Sequence, residues 1–308
     1  EQARCVPDPA LCGEAPFGDI VAGEDVVYVD ASVATAGDGS LSAPLKTLQQ
    51  GLAAVSVGGT VALASGVYGA TGQITQSVTI AGRCAHEVVL EGDESTAATL
   101  EVAQLIVGDS PVVRDVTLRG PTVGVWLVAG GRLLAERVYA DGLSEGGFLL
   151  NHADSELVLR DSVIGSIALV NGSSVGVGAL LGAKATLEGV RIEAQGEGVL
   201  ASQQGSTAEL DHVLIQPVAS DLATGLVVVQ GAVARGRELT VRNKRIGALV
   251  FNFGQADLDG VLVEDVWDDG IQLHGGSSVV ASGLVVIRPG RFGVSASEAG
   301  TRLRLAGA

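Results

Sequence analysis

The densest chemistry in the chain is the run Trp267-Asp268-Asp269-Gly270-Ile271-Gln272-Leu273-His274. Two adjacent carboxylates with an imidazole close behind can exchange protons with a substrate or hold a metal ion. In a strand, neighbouring side chains face opposite ways, so Asp268 and Asp269 share a site only from within a turn. Arg245 and Asn252 precede this run, and Arg291 and Glu298 follow it. Asp268, Asp269 and His274 are therefore the candidate catalytic residues, and Arg245, Asn252, Trp267 and Arg291 the candidate binding residues. Glu264 and Asp265 add enough local carboxylate for a calcium ion, with an acidic turn held in solvent as the competing reading. No other cofactor is expected. The histidines and cysteines have no metal-ligand spacing, and there is no phosphate loop, nucleophile elbow or triad.

Such groups need a frame, and the frame is written in glycine. A glycine followed by an apolar run recurs at Gly124, Gly147, Gly178, Gly198, Gly225, Gly247, Gly270 and Gly293, with an alternating segment behind most of them. Short strands and turns at this period, with no helix between them, specify a solenoid whose repeats bury their core only against neighbours. Counting from the glycines brings Arg235 and Arg237 of one repeat beside Asp257 and Asp259 of the next. All four face outward as opposed-charge neighbours that set register. A catalytic reading of these four requires a pocket around them. His152, Gln203, Gln230, Asn252 and His274 fall near one further column, which reads as a polar ladder at a turn.

Residues 1–25 read as a leader with Pro7, Pro9 and Pro16 and the Cys5/Cys12 pair. A disulfide joins Cys5 to Cys12, or joins one of them to Cys84, if the protein is exported. Pro44 followed by Leu45, Leu48, Leu52 and Val55 predicts one amphipathic helix over 44–56 that covers the open end of the first coil. The solenoid runs from 26 to 308. Its last segment, Leu303-Arg-Leu-Arg-Leu, has no cap, so a further segment or an end-to-end contact is expected past Ala308.

Composition narrows the partners. With 35 Asp+Glu against 19 Lys+Arg, the formal charge is −16, which repels phosphate backbones and anionic surfaces and excludes nucleic acid as a partner. No apolar stretch approaches the ~18–20 residues of a membrane-spanning helix, so no membrane insertion is expected. The sequence contains no Met, which places the translation start outside it. Aromatic residues make up 3% of the chain, leaving Trp126, Tyr139 and Trp267 as the sugar-stacking platforms open to it.

The segment Val27-Tyr-Val-Asp30, Gly37-Asp-Gly-Ser40, Ala43-Pro-Leu-Lys-Thr-Leu-Gln-Gln50 and Gly59-Thr-Val-Ala-Leu-Ala-Ser-Gly-Val-Tyr68 resembles the entry of the pectin-lyase-like superfamily. That resemblance implies an all-β fold, a right-handed parallel β-helix with one N-terminal capping helix. It leaves activity open, because the fold carries lyases, hydrolases, epimerases, adhesins and inert rods. The Asp268-Asp269 pair is similar to that of polygalacturonase-like hydrolases, but Asn252-Phe-Gly lacks their Asp, and His274 and Arg245 stand in the wrong order. The sequence reading is thus a non-catalytic exported rod, extracellular, at the cell surface or periplasmic, that binds a polysaccharide or an envelope protein. Its alternative is a polysaccharide lyase or glycoside hydrolase working through the Asp/Asp/His cluster.

Overall fold

The computed structural model describes residues 12–69, 73–93, 95, 97–103, 110–165, 167, 174–217 and 222–307. These form a parallel β-solenoid of about 10 turns. Its three sheets hold twelve strands (sheet 1, from Val26–Val29 to Arg302–Ala306), ten (sheet 2, from Gly66–Gly69 to Val285–Ile287) and ten (sheet 3, from Gln73–Ile74 to Val294–Ala296). One coil visits the sheets in the order 3, 1, 2, as in Ile246–Phe251, Gln255–Asp259 and Leu262–Glu264. Alternation along each strand sends one set of side chains inward, and Ala248, Val250, Ala256, Leu258 and Val263 of this coil are buried. At roughly 4.8 Å between strands, ten coils make a rod about 50 Å long.

The repeating glycine has a steric cause. A Cβ on Gly247 would lie 2.4 Å from the carbonyl oxygen of Gly270 and 2.5 Å from Val263 Cγ1. The same clash, at 2.4 to 2.7 Å from the next glycine's carbonyl, recurs at Gly124, Gly147, Gly198, Gly225 and Gly270. The member between Gly147 and Gly198 is Gly176, whose Cβ would meet Gly198 O at 2.5 Å, and not Gly178 as the spacing suggested. Between sheets 1 and 2 the chain turns through a single left-handed residue: Asp115, Arg137, Asp161, Gly189, His212, Glu238 and Gly260 have φ between 46° and 64°. This turn stacks His212 directly beside Glu238 on consecutive coils.

The helix is shorter than predicted, Leu48–Ala54, because Thr47 caps it in a reciprocal capping box with Gln50. Leu45 lies outside it, paired to the first strand through Leu45 N–Tyr28 O and Asp30 N–Leu45 O hydrogen bonds. The helix covers the first coil closely: a Cβ on Gly51 would meet Val29 and Val61 at 2.7 and 2.8 Å. The disulfide joins Cys12 to Cys84, the alternative the sequence left open beside Cys5–Cys12; Cys5 lies outside the described residues. Arg83 Nη2 donates to Gly13 O at 2.8 Å, and Phe17 packs edge-on against Tyr28, so the described part of the leader, from residue 12, lies over the outer face of sheet 1. No helix is long and apolar enough to cross a membrane.

Candidate functional site

The residues read as catalytic do not converge. Asp269 is 2% exposed and accepts hydrogen bonds from Phe292 N and Ser295 Oγ, so its carboxylate ties adjacent coils together. Asp268 faces outward in an ion pair with Arg291 at 3.1 Å. His274 lies at the opposite end of the Ile271–Leu273 strand, about 16 Å from Asp269 for five extended residues. There it stacks on Phe251 (5.3 Å between centroids) with Glu298 3.8 Å from Nδ1. Glu264 and Asp265 are both bonded by Arg288, at 2.7 and 2.5 Å, and Arg242 lies in an ion pair with Glu264. Arg288 holds the Asp265 carboxyl below its ordinary range. Arginines thus occupy the oxygens that the calcium reading needed. Among the described residues no group of three carboxylate, imidazole or thiolate side chains is arranged to hold a metal.

The pocket that the sequence lacked lies around Arg235, Arg237, Asp257 and Asp259. These four, with Glu188, Glu209 and Asp211, line a groove of about 370 Å³ on the outer face of sheet 1. The register is as expected, Arg235 opposite Asp257 and Arg237 opposite Asp259, but both arginines bond the preceding coil instead. Arg235 pairs with Glu209 at 3.0 Å, and Arg237 grips both oxygens of Asp211 at 3.2 Å. Hydrogen bonds from Arg237 hold the Asp211 carboxyl below its ordinary range, so it stays ionised. His212 bridges Asp211 and Glu238, with Nδ1 and Nε2 2.9 and 2.7 Å from their oxygens. Asp259 is in no close ion pair among the described residues and accepts from Ser282 Oγ at 2.6 Å, with the Arg237 charge on the adjacent coil. Two coils separate Asp211 from Asp259 in one column, roughly 9.6 Å between their backbones.

A second hollow, about 530 Å³, adjoins this groove and is lined by Gln204, Gln230, Gly231, Asn252, Phe253 and Gln255. Gln255, Asp257 and Asp259 alternate outward along one strand, so the two hollows share a wall. Of the polar ladder expected here, the register aligns His152, Gln203, Gln230 and Asn252 but sets His274 opposite Phe251, and the hydrogen bonds run to neighbours of the column: Gln203 Oε1 accepts from Leu181 N, and Ser202 Oγ donates to Gln230 Oε1. Phe253 is the residue the sequence reading missed. It has φ 65° and is 70% exposed, while the corresponding position is Gly231 (φ 80°) on one side and Gly276 (φ 73°) on the other. A bulky residue there carries a backbone cost of roughly 1–2 kcal/mol that glycine avoids. Aligning the coils at this turn shows the substitution in the sequence itself. Of the platforms proposed from sequence, Trp267 is 58% exposed, while Trp126 and Tyr139 are half-buried.

No protein-family model matches the chain, and no curated protein matches its sequence. Among solved structures it is similar to an alginate lyase from Paenibacillus sp. str. FPU-7, at 17% identity and a TM-score of 0.62 over 91% of this chain and 99% of that one. The fold is that of the pectin-lyase-like β-helices. The catalytic unit of an α-1,3-glucanase from Streptomyces thermodiastaticus strain HF3-3 matches at 14% identity and a TM-score of 0.50, over 93% of this chain and 69% of that one. Tailspike protein 2 of the Escherichia coli O157:H7 bacteriophage CAB120 matches at 9% and 0.59, with this β-helix spanning 94% of itself and 47% of the tailspike. The expectation of a non-catalytic rod is corrected by these neighbours, two of which are polysaccharide-cleaving enzymes.

Proposed function

We propose that the chain is a polysaccharide-cleaving enzyme, a glycoside hydrolase acting on the outer face of sheet 1. Phe253 carries this reading: an exposed aromatic ring held in a left-handed turn among the amides of Gln230, Asn252 and Gln255 serves a ligand better than it serves the fold. The ring supplies a stacking platform and the amides of Gln230, Asn252 and Gln255 supply hydrogen bonds. The glycosidic bond lies over Arg237, between Asp211 and Asp259. Asp211, kept ionised, acts as the base toward water, and Asp259 is the proton donor to the leaving oxygen. Two coils of strand spacing put their backbones roughly 9.6 Å apart, at the upper limit of the ~6.5–9.5 Å between the carboxyl groups of inverting enzymes, which leaves room for that water.

Charge selects hydrolysis over elimination. A lyase of this class removes a proton beside a uronate carboxylate, so its polymer is an anion. The groove and its rim present Glu188, Glu209, Asp211, Glu238, Asp257 and Asp259 against Arg235 and Arg237, on a chain of formal charge −16. That field repels polyuronates and tolerates neutral glycans. A polysaccharide substrate, together with the Cys12–Cys84 disulfide, supports action outside the cytoplasm.

The test is a panel of neutral glucans, galactans and mannans with polyuronates as counter-substrates, read for new reducing ends and for unsaturated ends. New reducing ends from a neutral polymer, without unsaturation, are expected. Unsaturated ends from a polyuronate, or no product from any polymer, contradict the reading. Phe253→Gly, which adopts the residue of both neighbouring coils, is expected to keep or raise Tm while weakening cleavage about tenfold; full activity in that variant removes the platform.

A further inference from the structure

All ten aromatic residues of the chain are described, and the three that are more than half exposed lie between 253 and 292. Phe17, Tyr28, Tyr68 and Phe148 are buried. Exposed rings are therefore confined to the C-terminal coils, and two of them, Trp267 (58%) and Phe292 (54%), occupy a rim that the groove does not use. This rim is the corner where sheet 2 gives way to sheet 3. Arg245, Asp268 and Arg291 stack there in one column, tied by the hydrogen bonds Asp268 N–Arg245 O at 2.8 Å and Arg291 N–Asp268 O at 3.0 Å. Arg291 pairs with Asp268 and lies 5.5 Å over the Phe292 ring, which fixes that ring's edge of the rim. Arg245 is exposed. The result is the exposed Trp267 ring and the side of the Phe292 ring away from Arg291, bordered by outward hydrogen-bonding groups of nearly balanced charge.

We infer that Trp267 and Phe292, flanked by Arg245, Asp268 and Arg291, form a second glycan-binding site that holds a neutral polymer at a distance from the cleavage groove. Its occupant is set by chemistry: ring faces suit the C–H faces of sugars, and guanidinium and carboxylate groups suit their hydroxyls. One Arg–Asp pair and one further arginine, on an acidic chain, offer too little positive charge for a polyanion. From this rim to Phe253 the path crosses the outer face of sheet 3 past Gln272 and the Phe251–His274 stack, roughly 20 Å of extended strand. A long chain spans both sites and gains from their linkage, whereas a short oligosaccharide in the groove does not reach the rim.

The inference rests on the glycan reading of the groove, and binding and cleavage are measured separately so that each can fail alone. Retardation in gels containing soluble α-glucan, β-glucan, galactomannan or alginate reports polymer binding, with Asp259→Asn as the background so that the polymer stays intact. Trp267→Ala and Phe292→Ala together are expected to weaken retention by a neutral polymer about tenfold, Trp267→Phe to preserve it, and cleavage of a short oligosaccharide by the otherwise native chain to remain unchanged. Lost retention in a protein that cleaves nothing keeps the rim and removes the groove reading. Unchanged retention in the double variant overturns the inference, as does the absence of retention by any neutral polymer.

Discussion

Asp259→Asn and Asp211→Asn each lower the rate of glycan cleavage by about 10²–10⁴, the range for loss of a positioned acid or base. Both residues sit on the outer face of sheet 1, so Asp259→Asn leaves folding within about 0.5 kcal/mol and Asp211→Asn, which gives up the ion pair with Arg237, within about 1 kcal/mol. The two variants differ in their response to Arg237. In the native chain Arg237 keeps Asp211 ionised below the pH at which an isolated aspartate protonates. Activity that needs an ionised Asp211 is therefore retained on acidification and lost only as the pH falls through this depressed value. Arg237→Gln returns the carboxyl toward its ordinary range and shifts the acid limb of the pH–rate profile upward. An unshifted limb in Arg237→Gln, with native rates in both Asp→Asn variants, assigns the chemistry to another face.

The largest effect on stability comes from Lys244→Met. Lys244 is completely buried between sheets 2 and 3, and its ammonium donates to Ala194 O at 2.9 Å and to Gly196 O at 2.5 Å, two coils away. A methionine of similar length fills the space but leaves those carbonyls without that donor, and removing one member of a buried charged network costs about 3–5 kcal/mol. Glu197 belongs to this network: burial pushes its carboxyl up, with the Lys244 charge opposing. Its raised value means the folded chain takes up a proton before the unfolded chain does, so its contribution to stability grows as the pH falls through that value. Chemical denaturation near neutral pH is the check, with Lys184→Met as control, because Lys184 is exposed and pairs only loosely with Glu156 at 3.4 Å. The control is expected to stay within about 0.5 kcal/mol. Equal effects from both lysines remove the structural role assigned to Lys244.

The solenoid was legible because its cause is local. From Gly124 to Gly270 the column glycines are forced by a carbonyl of the next coil, so the pattern survives in one dimension. Its one slip, Gly178 for Gly176, occurred where Val175-Gly176-Val177-Gly178 offers two glycines of the same parity, and only the folded contacts separate them: a Cβ on Gly176 would meet Gly198 O at 2.5 Å and Ile192 Cγ2 at 2.6 Å, whereas one on Gly178 would meet nothing closer than Leu149 Cδ2 at 3.0 Å. The disulfide was not legible from spacing, since Cys12 meets Cys84 only once the leader has folded back over sheet 1. The carboxylates drew attention in the wrong place for a related reason. Asp268 and Asp269 are adjacent in sequence and diverge in space, one outward to Arg291 and one buried, whereas Asp211 and Asp259 are distant in sequence and share a column. The arginine–aspartate neighbours were found by counting, but a groove is a property of the folded surface. Phe253 stood open to the same counting, one turn beyond the strands, as a bulky residue in a column otherwise held by turn glycines and Asp154.

The most direct test of the groove is a crystal structure of Asp259→Asn with a neutral oligosaccharide released from a cleaved polymer. The account predicts sugar along the outer face of sheet 1, one ring stacked on Phe253 and the glycosidic oxygen over Arg237, between Asp211 and residue 259. Sugar seated only on another face, with this groove holding solvent, contradicts it.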